Sequence, residues 1–282
     1  MSLGNFGDVW KHAVLIELID QIFKNKGKLH YVETHGSVMK GRVGSSNSGK
    51  DGIYQILKNF EVNCLNTNYI NLQNFPTKIS DDFDYYSSWG HIYKHLNKII
   101  NLKHNIIMDI CEIEKEKYTN VINDINNASW NVNYKNIDGF KYLEELISRK
   151  CKPDIVFIDP FWKNIKLEGE FKDPNNNILL WDYVYVANAI KTMNDAKIDF
   201  IIWYPLYKNK MRDEVSEFKE MLSSLTLVNY QYDNGGKPSS QFMYETGMLF
   251  SKNLATFIPN IKQELSYFNN SINSWRVEKS FA

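Results

Sequence analysis

Asp154-Ile155-Val156-Phe157-Ile158-Asp159-Pro160-Phe161-Trp162 runs four apolar β-formers straight into an acid, a proline and two aromatics. Such a run reads as a strand buried on both faces, as in a parallel sheet. Pro160 has no N–H for a sheet ladder, so the strand ends there. Asp159 is thereby delivered to the strand's carboxyl end, where open α/β sheets hold their ligands. An acid, a proline and aromatics at that tip suit a flat ring that forms hydrogen bonds. The same residues also fit a plain strand followed by a turn.

Outward from this strand, the chain has the bulk properties of an ordinary soluble globular protein. It has 282 residues, 43% hydrophobic and 23% charged, with a formal net charge of zero. A neutral chain does not hold long duplexes by charge alone, although a local basic patch could still recognise one short nucleic-acid site. Seventeen Tyr, sixteen Phe and seven Trp serve either core packing or stacking on bases. No apolar run approaches the roughly 20 residues that cross a bilayer, and no signal peptide is visible. Cys64, Cys111 and Cys151 are scattered and form no CxxC pair. Free thiols in a reducing cytoplasm are the simplest account, so a cytoplasmic location without membrane contact is expected. Met1-Ser2-Leu3 reads as a replacement for a longer native start.

Residues 5–26 place Val9, Trp10, Ala13, Val14, Leu18 and Ile22 at helical spacing, with Asn5 as the N-cap and Gly27 as the stop. Leu29 to Glu33 reads as a first strand, followed by the small-residue turn Thr34-His35-Gly36-Ser37. Small residues there let the backbone approach a ligand, although the turn is not GxGxxG. Residues 41–50 are loop-like, and Lys50 is followed by Asp51, so this is no P-loop. Residues 51–98 read as mostly helical, with no strand that belongs to the main sheet. His91 and His95 stand i, i+4 there, but no third metal ligand is evident, so no metal site is assigned.

Residues 105–112 form a second strand ending in Glu112, whose carboxylate could accept from a ribose diol. A helix over 113–126, a strand at Asn131–Asn136, Asp138-Gly139 and a helix over 140–149 lead into the Asp159 strand. Residues 163–177 read as a polar loop. A helix over 181–194, a strand over 199–206, a helix over 211–223 and a terminal hairpin of strands 225–232 and 246–251 complete the reading. Five β/α units and a hairpin make an α/β Rossmann-like sheet of the class I methyltransferase order 3-2-1-4-5-7-6. Residues 1–44 and 99–282 would form that domain, and 45–98 an inserted helical subdomain. The order puts Glu33, His35 and Asp159 at one crevice, on either side of a cofactor.

At this point the chain resembles a known family, the RlmJ-type 23S rRNA adenine-N6 methyltransferases. Gly4 to His12 is similar to the family's GNxADVxKH, and Tyr31 to Gly36 to its YLDTHAG. Tyr85 to Gly90 stands where the family has YYPGSP, Glu112 to Tyr118 matches ELHPSDY, and Ile137 to Phe140 matches ADGF. Ile158 to Trp162 falls on IDPPY, Trp203-Tyr204-Pro205 on WYP, and Thr246-Gly247-Met248 on SGM. The resemblance implies S-adenosylmethionine as cofactor, with contacts at His12, His35, Glu112, Asp138, Gly139 and Asp159. Glu33 joins them from its place at the crevice.

The resemblance also implies catalysis at Asp159, with Pro160 and Trp162 beside it. An adenine amine is a poor nucleophile because its lone pair is delocalised into the ring. Asp159 would accept one amine hydrogen and the Pro160 carbonyl the other, aiming the lone pair at the methyl carbon. Trp162, or Phe161, would stack on the flipped-out base. Lys11, Lys40, Arg42 and Lys163 are the expected phosphate contacts. The partner would be unassembled or partly assembled 23S ribosomal RNA, bound by a monomer.

Three departures from the family stand out. Phe161 replaces the second proline of the tetrad, Ser37-Val38-Met39 replaces small residues after His35, and the basic lead-in before Gly4 is missing. Bulk after His35 would narrow the methionine pocket. An inactive cofactor- or RNA-binding relative and a DNA adenine methyltransferase are the alternatives. Residues 51–98 are short for a DNA target-recognition domain, which favours RNA.

Overall fold

A computed structural model describes residues 4–43, 52–54, 68–73, 83–98, 105–125, 131–160, 183–207, 227–234, 243–271 and 275–276. In chain order these form α1 (Phe6–Lys26), β1 (Leu29–Glu33), β2 (Lys40–Val43), α2 (Asn68–Leu72), β3 (Phe83–Tyr86), α3 (Ser88–Asn97) and β4 (Ile106–Cys111). Then come α4 (Lys115–Ile125), β5 (Asn131–Lys135), α5 (Gly139–Ser148), β6 (Ile155–Ile158), α6 (Tyr183–Asp195) and β7 (Phe200–Tyr207). The chain continues through β8 (Leu227–Asn234), β9 (Met243–Ser251), a 3-10 helix (Lys252–Phe257), α7 (Ile258–Ser271) and β10 (Trp275–Arg276). Phe161, Trp162, Lys163 and the expected helix over 211–223 lie outside the described residues.

β1, β4, β5, β6 and β7 run parallel, and β9 lies antiparallel between β7 and β8. Across the sheet the order is β5-β4-β1-β6-β7-β9-β8, with β10 added at the far edge. Counted without the separate β2–β3 pair, this is the 3-2-1-4-5-7-6 order of class I methyltransferases. β6 is buried throughout, as its unbroken apolar run requires. Ile155 and Phe157 face a core built with α1, α2, α3 and α7. Val156 and Ile158 face a second core built with α5 and α6. The sheet thus separates two apolar layers, and successive strand residues feed them alternately.

α1 begins where Asn5 accepts a hydrogen bond from the Asp8 N–H at 3.0 Å, and ends at Gly27, whose φ of 65° is the left-handed stop. The helix is more enclosed than a one-faced amphipathic helix would be, with residues 7–20 all buried. It packs on β1 from one side and on α2, α3 and α7 from the others. Its acids serve as docking points. Glu17 accepts from the backbone and side-chain nitrogens of Asn68 at 3.1 and 2.8 Å. Asp20 pairs with His95 at 2.9 Å and with Lys24 at 2.5 Å.

Residues 83–86 form a strand that the helical reading of 51–98 did not expect. β3 pairs antiparallel with β2, in the register Lys40↔Tyr86 to Val43↔Phe83. Tyr85 and Trp89 from this region join the same core as α1.

Candidate active site

The tips of β1, β4 and β6 meet at the carboxyl edge of the sheet, and backbone hydrogen bonds hold the turn after β1 between its neighbours. The Thr34 N–H donates to the Phe157 carbonyl at 3.1 Å, and the Gly36 N–H to the Cys111 carbonyl at 2.6 Å. A side chain at Gly36 would press on that carbonyl and on Ile110, and one at Gly139 would fall on the Thr34 backbone. Both glycines therefore mark places where backbone meets backbone. Glu33, His35, Glu112, Asp138 and Asp159 gather around this convergence, at the switch point of the sheet.

Asp159 follows β6 directly and retains 16% side-chain exposure, while its partner Lys11 retains 6%. Lys11 Nζ lies 2.5 Å from Asp159 Oδ2 and 3.1 Å from Asp8 Oδ1, and 4.8 Å from the centroid of the Trp203 ring. Burial works against the charge on Lys11, but Asp159 and Asp8 outweigh it and hold the ammonium protonated. Burial raises the Asp159 carboxyl above the ordinary range, and Lys11 offsets part of that rise. Lys11 was expected at a phosphate; here it is buried in this ion pair. Of the other expected phosphate contacts, Lys40 pairs with Asp84 at 2.6 Å on the surface and Arg42 is exposed on β2.

Glu33 has both carboxylate oxygens engaged. The Tyr31 hydroxyl donates to Oε2 at 2.6 Å and the Ser88 hydroxyl to Oε1 at 2.9 Å. Glu33 therefore links the end of β1 to the first turn of α3. Burial pushes its carboxyl up to about 8, against the lowering effect of the two donors. His12 is buried, with Nδ1 3.0 Å from the Tyr85 hydroxyl. His35 Nδ1 is 2.7 Å from the Thr34 hydroxyl, and its ring meets Phe140 edge-on at 5.1 Å. Burial lowers both imidazoles, His35 to about 3, so both are neutral at pH 7.

Glu112 stands at the tip of β4, where Oε1 accepts from the Glu114 N–H at 2.8 Å; burial raises its carboxyl to about 7. Asn136 ties the two neighbouring tips together by donating to the Glu112 carbonyl at 2.8 Å. Asp138 caps α5 through Oδ1, which accepts from the N–H groups of Phe140 and Lys141 at 2.8 and 3.3 Å.

The turn after His35 is tied to the elements around it. Val38 and Met39 pack against the core, and the Ser37 carbonyl accepts from Trp89 Nε1 at 2.9 Å and the Tyr134 hydroxyl at 3.0 Å. His91 and His95 are both engaged in the core, His91 with Gln73 and the Ser87 carbonyl and His95 with Asp20. Asp8, Tyr31, Tyr85, Ser88 and Trp203 complete the site; of these only Ser88 was considered from the sequence, where the family's serine contact falls on Ser88 or Trp89, and it is Ser88 that reaches Glu33. The fragments that contain them gave the only signal.

No protein-family model matches the chain. Over 98% of its length it is 23% identical to Ribosomal RNA large subunit methyltransferase J of Haemophilus influenzae (strain ATCC 51907 / DSM 11121 / KW20 / Rd), covering 95% of that protein. Its fold is that of protein LPL1258 from Legionella pneumophila str. Philadelphia 1, of family DUF519, with a TM-score of 0.72, 21% identity and coverage of 99% of this chain and 98% of that one.

Proposed function

We propose that this chain is an S-adenosylmethionine-dependent methyltransferase that methylates the N6 amine of an adenine in 23S ribosomal RNA. The observation that carries the reading is Asp159, a partly exposed carboxylate held by Lys11 at the switch point of a sheet with methyltransferase strand order. The full-length likeness to a ribosomal RNA large subunit methyltransferase supports the substrate class.

The crevice residues suit the cofactor. Gly36 and Gly139 let the turn after β1 lie tight against the tip of β4 and the start of α5, which frames the crevice. Glu112 offers carboxylate oxygens for a ribose diol. Neutral His12 and His35 present hydrogen-bonding nitrogens without adding charge beside a sulfonium. When bound, S-adenosylmethionine supplies an electrophilic methyl group.

The chain's own residues do the rest by alignment. Lys11 occupies Asp159 Oδ2 and favours the ionised carboxylate, so Oδ1 accepts one hydrogen of the adenine amine. The Pro160 carbonyl accepts the other. This draws the nitrogen lone pair out of the ring plane and towards the methyl carbon. Trp162, with Phe161 beside it, stacks on the base, and Lys163 and Arg42 meet phosphates. Residues 45–98 act as an inserted subdomain beside the cofactor pocket, the chain works as a monomer in the cytoplasm, and the RNA is unassembled or partly assembled.

The test is transfer of labelled methyl from S-adenosylmethionine to unmodified 23S ribosomal RNA, read as N6-methyladenine. Wild type should transfer and Asp159→Ala should not. Wild-type rates in Asp159→Ala would overturn the mechanism, and methylation of DNA but not RNA would overturn the substrate.

A further inference from the structure

The inserted segment reaches into the cofactor side of the site through one hydroxyl. Tyr85, on β3, places its hydroxyl 3.0 Å from His12 Nδ1 and 2.8 Å from the Tyr69 hydroxyl. His12 comes from α1 and Tyr69 from α2, so three elements meet at one buried point. Burial keeps both phenols protonated.

The neighbouring His91 takes no part in this chain of hydrogen bonds. Its ring lies 4.8 Å from that of His12, but Nδ1 is 3.0 Å from the Ser87 carbonyl and Nε2 is 2.9 Å from the Gln73 amide nitrogen. A carbonyl only accepts, so Nδ1 of His91 carries the proton and Nε2 accepts from Gln73. His91 is thus a fixed neutral ring that walls His12 on one side.

His12 itself is neutral, because burial and the nearby Lys11 ammonium oppose a second proton. A neutral imidazole has one donor nitrogen and one acceptor nitrogen, and the hydrogen bond at one decides what the other offers. We infer that Tyr85, anchored by Tyr69, is a positioning residue that donates its phenolic hydrogen to His12 Nδ1, and so fixes the ring orientation of His12 and keeps its proton on Nε2. It thereby sets the hydrogen-bonding character that His12 presents to the cofactor. This rests on the reading of His12 as a cofactor contact, and it gives the inserted segment a share in cofactor binding.

The experiment combines ring-nitrogen NMR of histidine with calorimetric titration of S-adenosylmethionine, on wild type, Tyr85→Phe, Tyr69→Phe, His12→Gln and Tyr142→Phe. His12→Gln assigns the His12 signals. Wild type should show one neutral tautomer at His12. Tyr85→Phe should shift that ring towards a mixture and weaken cofactor binding about fivefold, the usual effect of one lost hydrogen bond. Tyr69→Phe keeps the Tyr85 hydroxyl, so it should move both readouts the same way by less; it also serves if Tyr85→Phe folds poorly. Tyr142→Phe, whose hydroxyl bonds Asp109 in the other layer, should move neither readout.

Unchanged His12 signals, or unchanged affinity, in a folded Tyr85→Phe would overturn the inference. If His12→Gln weakens binding and Tyr85→Phe does not, only the positioning role falls. If folded wild type binds no S-adenosylmethionine, the cofactor reading falls and takes this inference with it.

Discussion

Lys11 and Asp159 are separated by 148 positions in the chain and meet at 2.5 Å. Removing the ammonium leaves a buried carboxylate without its partner, at a cost of about 3–5 kcal/mol unless the carboxylate takes up a proton. In the proposed mechanism Asp159 accepts an amine hydrogen more strongly as the carboxylate, and burial already raises its pKa. Lys11→Met should therefore move the acid limb of the pH–rate profile to higher pH. The loss of activity should be greater at the acid end of the profile than at the alkaline end, as checked by methyl transfer across the pH range. Glu33 titrates in the opposite sense for stability. With its carboxyl raised to about 8 from an ordinary 4.5, the folded chain keeps a proton that the unfolded chain releases. Stability from this group is thus greatest below about 4.5 and falls as pH rises towards about 8. Glu33→Gln should flatten that fall and raise stability at pH 8 by on the order of a few kcal/mol. Urea denaturation midpoints at pH 5 and pH 8 would measure it.

Among the elements, α5 shows how one short helix start combines packing with chemistry. Gly139 lets its first turn lie against the Thr34 backbone, and Asp138 caps it. Gly139→Ala should lower stability by about 1–3 kcal/mol, because the rigid backbone opposite cannot move aside. The capping role of Asp138 and its proposed cofactor contact are separable. Asp138→Ala should lose about 1 kcal/mol of stability and also cofactor affinity. Asp138→Ser should recover the stability, since serine also caps, without recovering the affinity. Thermal denaturation and calorimetry on the two variants would decide. The helix itself was legible in the sequence from Asp138-Gly139 and the apolar spacing that follows. The pairing of β2 with β3 was not, because neither strand has an apolar alternation and each needs the other to form.

At the scale of the molecule, α1 is a 21-residue helix enclosed by the sheet, the inserted segment and α7. Its buried charges keep it from being a membrane span, and no described helix is long and apolar enough to cross a membrane. They also make the assembly specific, since Glu17 and Asp20 each hold a different element of the insert. Glu17→Gln should speed amide exchange at Asn68–Leu72 while leaving β1, β4 and β6 protected. Exchange that rises equally across the sheet would show that the insert and the sheet open together.

The sequence by itself determined the strand order of the main sheet, the two-faced burial of β6, the cap and stop of α1, and the delivery of Asp159 to a strand tip; it closed the chain on the β8–β9 hairpin and so missed α7 and β10, which follow it. The determined features follow from periodicity, proline, glycine and capping residues acting over a few positions, which any short window of the chain contains. Only the tertiary structure decided that Lys11 turns inward to Asp159 rather than outward to a phosphate. It also decided that Glu33 is engaged by Tyr31 and Ser88, that Val38 and Met39 pack into the core, and that Tyr85 reaches His12. Apart from the Tyr31–Glu33 bond, which spans two residues of β1, these contacts join distant segments, and a charged or hydroxyl side chain carries no local sign of which partner the fold will bring within hydrogen-bonding distance.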